Sequence, residues 1–298
     1  MWAHRDPDLY YVTISTCSSR EATSTVRIVF LVNRDIESNL ALNLLLPEIH
    51  QSTIGIFLSE RVGGGTTVAA RMLGQLGFIE QNLFNDLVFA LARQLGAGDS
   101  RFVGFDQLQE RFGVPVQAIA TLNDASTLQE LRHLQADLFV TIRFGKILKA
   151  DAISIPRRGV LNLHSGLLPQ YRGVLATFRA LMNGDAEIGC TLHWIDSPGI
   201  DVGSIVQTAR ISVARERSLL WHVLALYRPG TALILDAIRR LECGEPLIAT
   251  PQSASEGAYY SFPTDEDLVQ FTALGWRLFD REDILELVEL YVSRGDRP

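Results

Sequence analysis

Asn162 and His164 stand two residues apart in the run Leu161-Asn162-Leu163-His164-Ser165-Gly166-Leu167-Leu168-Pro169. In a strand, alternate residues face the same way, so Leu161 and Leu163 would enter a core while Asn162 and His164 project together from the other face. Gly166 and Pro169 place the end of that strand just beyond them. Ligands of open α/β sheets bind outside the carboxyl ends of the strands. An amide and an imidazole side by side at such an edge can both donate to an oxygen that gains negative charge. Alone, such a pair more often satisfies local backbone groups. A second strand end adds a carboxylate, because a predicted strand over 188–195 runs into Asp196-Ser-Pro-Gly-Ile-Asp201-Val-Gly203. If the two strands are neighbours, Asp201 approaches His164 and orients it or raises its basicity. Asp196 is the competing carboxylate and would equally cap the turn before Pro198.

The elements that must position these residues follow a strand–helix alternation. The ordered core is expected to begin at Arg27-Ile-Val-Phe-Leu-Val32, a short apolar run of the buried parallel kind. A helical pattern over 39–46 stops before Pro47, and a strand over 53–58 leads into Gly63-Gly64-Gly65, which reads as a flexible loop and not a phosphate site because it lacks the P-loop lysine. Helices are expected over 68–76 and 78–95, the second with Leu83, Leu87 and Leu91 on its core face and Gly96 as its stop. A short helix over 107–112 ends at Gly113, and Ser126 with Gln129 suggests a capping box opening a helix to Gln135. Strands over 137–142 and 159–164, a helix over 176–183 and the strand over 188–195 complete the alternation of a doubly wound, mostly parallel α/β sheet. Ser38-Asn39, after the first strand, could bind an anion at a helix start. Beyond Ala209 the pattern becomes mainly helical, over 219–227, 231–241 and 283–292, with a break at Pro229-Gly230 and a loop over 249–264. The expected division is an N-terminal appendage (1–25, with a short strand over 10–15), a catalytic domain (26–210) and a small C-terminal accessory region (211–298).

Length and composition set the outer bounds. The chain has 298 residues, 47% hydrophobic and 20% charged, an ordinary globular balance. Its formal charge is −7, the opposite of what a main partner with a phosphate backbone would favour. Lys146 and Lys149 are the only lysines among 27 basic residues. Cys17, Cys190 and Cys243 are odd in number and widely spaced, which excludes a disulfide framework and suits a reducing cytoplasm. No apolar run reaches membrane-spanning length and no secretory signal opens the sequence, so a cytoplasmic location and no membrane partner are expected. His4, His50, His133, His193 and His222 have no metal-ligand spacing, and no metal is expected.

Asn162-Leu-His164, the Leu167-Leu168-Pro169 turn, Asp201-Val-Gly203, the Tyr171-Arg172-Gly173 extension and the run Gly184…Gly189-Cys-Thr-Leu-His193 together resemble the folate-dependent formyltransferases. That family comprises the methionyl-tRNA, glycinamide ribonucleotide and nucleotide-sugar formyltransferases and the formyltetrahydrofolate hydrolases. The resemblance is strong over about 135–210 and rests on strand–helix order over 27–134. It implies a Rossmann-like catalytic domain and formyl transfer from N10-formyltetrahydrofolate, with Asn162, His164 and Asp201 catalytic. It further implies that Arg143, Phe144, Gly145, Ile147 and Leu148, with Asp196 and Ile200 of the loop 196–201, line the pterin pocket. Gly166 departs from the serine that the tRNA and purine members carry before the Leu-Leu-Pro turn. The Leu168–Pro169 peptide is expected to be cis. Residues 211–298 hold nine arginines against fourteen acidic residues, so a small amine (an amino sugar on a nucleotide or an amino-acid-derived metabolite) is expected as acceptor in place of a nucleic acid. A homodimer is left open. The alternatives are a formyltetrahydrofolate hydrolase, disfavoured because residues 1–25 are too short for the hydrolases' N-terminal sensing domain, and a non-catalytic folate-binding protein.

Overall fold

The computed structural model describes residues 25–60, 68–95, 101–253 and 255–293. The predicted strand over 10–15, Gly63-Gly64-Gly65 and the Gly96 stop lie outside them. Apolar β-rich runs form the centre of a seven-stranded sheet. β1 (Ile28–Asn33) lies between β2 (Thr53–Ser59) and β4 (Leu138–Ile142), with β3 (Val116–Ala118) outside β2 and β5 (Val160–His164) beyond β4. These five strands are parallel. β7 (Glu187–Trp194) then pairs antiparallel to β5, and β8 (Ile205–Ser212) antiparallel to β7 at the edge. The sheet is therefore mostly parallel and doubly wound, as the alternation predicts.

Every residue of β1 is buried, because helices cover both faces of the sheet. Ile28, Phe30 and Val32 enter the larger core with α1 (Ile36–Ile49), α8 (Leu219–Ala225) and α9 (Tyr227–Glu242), whereas Val29 and Leu31 enter the smaller one with α5 (Ala125–His133) and α6 (Ala150–Ile153). The larger core also takes Leu268 and Phe271 of α10 (Asp265–Ala273) and Leu287, Leu290 and Tyr291 of α11 (Arg281–Val292). Among the described residues no helix is long and apolar enough to cross a membrane.

Several elements differ from the sequence pattern for identifiable reasons. α1 starts earlier, where the Asp35 side chain accepts from Ser38 N–H, and it continues through Pro47, which forgoes its own N–H bond back to residue 43 and is followed by only two more helical residues. α2 (Val68–Gly77) gives way to a π-helical stretch, Phe78–Val88, and then to α3 (Phe89–Gln94). The wider turn rotates the buried stripe onto Ile79, Phe84, Val88 and Phe89, leaving Leu87 and Leu91 exposed. α4 (Phe105–Phe112) ends at left-handed Gly113 as expected. The cap of α5 is Asp124, two residues before the predicted Ser126. Pro229 and Gly230 sit inside the first turn of α9, where proline is tolerated, and the break falls at Leu226. The segment 249–264 contributes β9 (Ala258–Tyr260), which pairs with β6 (Tyr171–Gly173). α7 (Ala176–Asn183) forms as predicted, and the Leu168–Pro169 peptide is cis.

Candidate active site

β5 delivers Asn162 and His164 on one face while Leu161 and Leu163 are buried on the other. Because β7 runs antiparallel to β5, its carboxyl end lies at the start of β5, with Ile195 N–H donating to Val160 O. The two strand ends therefore do not coincide. Instead the loop after β7 folds back along β5 and carries Asp201 to the site. Two backbone features permit this path. Asp201 holds the left-handed conformation (φ 54), which is costly for a non-glycine residue and marks a position fixed by its surroundings. At Gly203 an added Cβ would lie 1.7 Å from Trp194 O, so the return pass requires glycine.

At the end of that loop, Asp201 Oδ2 lies 3.6 Å from His164 Nδ1 and accepts from Gly173 N–H at 2.9 Å. Its other oxygen lies 3.4 Å from His193 Nε2 and 3.5 Å from Asn162 Nδ2. Burial alone would push this carboxyl up, but the charge of His164, the His193 ring and the Gly173 N–H outweigh it and hold Asp201 at about 2. It is a carboxylate at any neutral pH.

The neighbours fix the remaining orientations. Thr141 of β4 stands opposite Asn162 in register, and its hydroxyl donates to Asn162 Oδ1 at 2.6 Å. This turns the Asn162 amide nitrogen toward His193 Nε2, 2.9 Å away. His193 Nδ1 lies 2.9 Å from Trp194 O, a carbonyl that can only accept, so that nitrogen carries the proton and Nε2 is free to accept from Asn162. By the same logic His164 Nε2–H donates to Tyr171 O at 2.7 Å, leaving Nδ1 toward Asp201. Thr191 Oγ1 donates to Gly166 O and accepts from Leu168 N–H, pinning the Leu-Leu-Pro turn. A Cβ on Gly166 would lie 2.4 Å from Ala176 Cβ and 2.7 Å from His164 Nε2, so a serine at this position has no room. Burial pushes the Cys190 thiol up to about 12, which excludes it as a nucleophile at neutral pH.

Asn162, His164 and Asp201 line a cavity of about 410 Å³. Of the residues expected to meet a pterin, Arg143, Phe144, Gly145, Ile147, Leu148 and Ile200 line the same cavity. Asp196 does not: it is exposed at the start of the loop. The Arg143 side chain turns to Asp35 and Glu80. Ser38 and Asn39 are fully buried and Ser38 N–H is taken by Asp35, so the start of α1 cannot receive an outside anion. Sequence reasoning missed His193 and Thr141. The available signal was register: both stand opposite Asn162 once β5 is placed between β4 and β7. It also missed Gln252, whose side-chain amide donates to Asp201 O at 3.0 Å and Gly203 O at 2.6 Å across 51 and 49 residues.

Comparison with known proteins agrees with this geometry. The formyl transferase family model matches residues 106–220. A methionyl-tRNA formyltransferase of Kosmotoga olearia is 32% identical over 177 residues, covering 59% of this chain and 56% of the relative. The chain spans about half the length of the curated relatives it matches. Among solved structures, an N-formyltransferase from Helicobacter canadensis in complex with folinic acid and dTDP-3-aminofucose is similar at a TM-score of 0.52 and 16% identity, covering 81% of this chain and 72% of that one. Glycinamide ribonucleotide transformylase 1 from Symbiobacterium toebii is similar at a TM-score of 0.52 and 14% identity, covering 80% of this chain and 100% of that one. Both share the fold. Residues 106–220, with β4, β5 and β7 and the Asn162, His164 and Asp201 that they and the following loop present, belong to the formyl transferase family.

Proposed function

We propose that this protein transfers a formyl group from N10-formyltetrahydrofolate to the amine of a small-molecule acceptor. The observation that carries this reading is the convergence of Asn162, His164 and Asp201 on a cavity whose lining also includes exposed apolar side chains. Ile147, Ile200 and Phe262 are 57%, 41% and 47% exposed, and all three face that cavity. Large apolar side chains left open beside buried polar groups fit a planar ring that would cover them. When bound, the folate supplies an activated formyl carbon for the amine to attack.

The roles of the chain's own groups follow from their partners. Asn162 has its oxygen committed to Thr141 and one amide hydrogen to His193, so the second hydrogen, only loosely held at 3.5 Å from Asp201, is the one available to an oxygen that gains charge. His164 Nδ1 faces the Asp201 carboxylate at 3.6 Å, and when protonated that nitrogen can pass its proton to a departing nitrogen. Asp201, held ionised, can then accept a proton from the attacking amine through water.

Mixing purified protein with N10-formyltetrahydrofolate and following tetrahydrofolate by absorbance tests the reading. Release that depends on an added amine is the expected result. Release with water alone would identify a hydrolase, and no release with any amine would leave a folate-binding protein.

A further inference from the structure

The row of side chains that holds Asn162 crosses three strands, and it is polar within a buried sheet. Thr141 of β4, Asn162 of β5 and His193 of β7 stand opposite one another in register, so all three project from the same face. Strands covered on both sides normally carry apolar residues, as the neighbours of Thr141 on β4 do: Leu138, Phe139, Val140 and Ile142. Thr141 and His193 are both buried. A buried hydroxyl and a buried imidazole are stable only where hydrogen bonds replace the water they have lost.

The bonds in this row depend on which way the Asn162 amide is turned. With its oxygen toward Thr141, Oδ1 accepts from the hydroxyl at 2.6 Å and Nδ2 donates to His193 Nε2 at 2.9 Å, with Asp201 Oδ1 3.5 Å away on the same side. Turned the other way, Nδ2 would face Thr141 Oγ1, whose hydrogen would have to swing to Leu161 O, 3.4 Å away. The amide oxygen would then face His193 Nε2 and the Asp201 carboxylate. That arrangement holds only if Nε2 carries a proton. His193 Nδ1 already donates to Trp194 O at 2.9 Å, so the ring would become an imidazolium. The two orientations of the amide are thus two protonation states of His193. Only the first turns the amide N–H groups toward Asp201, which lines the cavity. The carboxylate does not decide between them by itself, since Asp201 Oδ1 lies 3.4 Å from His193 Nε2 and would equally favour an imidazolium there. The short bond from Thr141 does decide.

Resting on the reading that Asn162 donates to an oxygen that gains charge, we infer that Thr141 is a positioning residue. Its hydroxyl fixes the Asn162 amide in the donating orientation and, through it, keeps His193 neutral.

The test is nitrogen NMR of folate-free protein isotopically labelled at histidine, at neutral pH, with the His193 signals assigned from their absence in His193→Gln. Wild type and Thr141→Ser should show His193 as a neutral ring protonated at Nδ1. Thr141→Val, which keeps the shape of the side chain and loses the hydroxyl, should show a doubly protonated fraction. Its turnover should fall about tenfold, the scale of one hydrogen bond, with KM for the folate unchanged, whereas Thr141→Ser should turn over normally. Unchanged His193 signals in Thr141→Val, or full turnover in that variant, would overturn the inference. Thermal melting shows whether the variant is folded, and Thr141→Ala replaces it if it is not. A doubly protonated His193 in the wild type would overturn the inference without any variant. Because the spectra need no substrate, the two failures are distinguishable: absence of formyl release with every amine would sink the transferase reading, and the spectra would still decide the role of Thr141.

Discussion

At the scale of single residues, the three side chains singled out by type and spacing converge, and the chemistry proposed for them makes sharp demands. Asn162→Ala, His164→Ala and Asp201→Ala should each lower turnover at saturating folate by at least about 10²-fold, the usual scale for an oxyanion donor or an acid–base group. Asp196→Ala should be mild, because Asp196 is exposed and outside the cavity. A severe Asp196 variant with a mild Asp201 variant would show that the wrong carboxylate was chosen. Asp201 also has a signature that needs no substrate. Its folded value of about 2 lies below the ordinary aspartate value of 3.8, so it stabilises the fold above pH 4 and that contribution is lost as pH falls through 2. A depression of this size corresponds to about 2 kcal/mol. Denaturation of wild type and Asp201→Asn from pH 5 to pH 2 should therefore show the variant less stable at pH 5 and the gap closing toward pH 2. A constant gap across that range would mean that the carboxylate is not held ionised by its neighbours. Asn162 and His164 were legible because strand alternation is a local rule. His193 and Thr141 were not, because they matter only through register with neighbouring strands, which periodicity within one strand does not encode.

At the scale of elements, the central strands were readable because full burial demands unbroken apolar runs, as in β1 and β4. β8 was not, since an edge strand needs one buried face only: Ala209 and Ile211 are buried while Thr208, Arg210 and Ser212 are exposed. The burial stripe of Phe78–Val88 was misassigned because a helix of period 3.6 was assumed where the backbone winds more widely. The 249–264 segment looked like loop because its role is contact with a distant turn. Gln252 bonds the carbonyls on either side of Val202, and Ala258–Tyr260 pairs with Tyr171–Gly173, whose Gly173 N–H holds Asp201. The C-terminal region thus clamps the loop that carries Asp201. Gln252→Ala should lower turnover about tenfold, less than Asp201→Ala, since it displaces the carboxylate without removing it. Gln252→Glu should be no better, because a carboxylate cannot donate to those two carbonyls. Full activity in Gln252→Glu would show that side-chain size and not the donated hydrogen bonds matters.

At the scale of the whole molecule, charge and packing together address the choice of acceptor. The curated relatives named methionyl-tRNA formyltransferases align over little more than half of this chain, so their substrate does not transfer with the fold. The C-terminal helices here are drawn inward: Tyr291 is completely buried against Phe84, Phe89 and Phe102, and its hydroxyl donates to Asn39 at 2.7 Å. Arg217 is half-buried and paired with Asp283 and Glu286, and the more exposed Arg277 is paired with Asp280. Residues 211–298 carry nine arginines and fourteen acidic residues, a formal −5. Affinity for nucleic acid comes largely from cations that meet phosphates, and it weakens steeply as salt rises. A region that is net acidic, with arginines already paired, offers little of that. Initiator tRNA should therefore fail to inhibit formyl release at submicromolar concentration in a low-salt competition assay, where electrostatic binding is strongest. Inhibition under those conditions that disappears as salt is raised would reverse the assignment and make tRNA the acceptor to pursue.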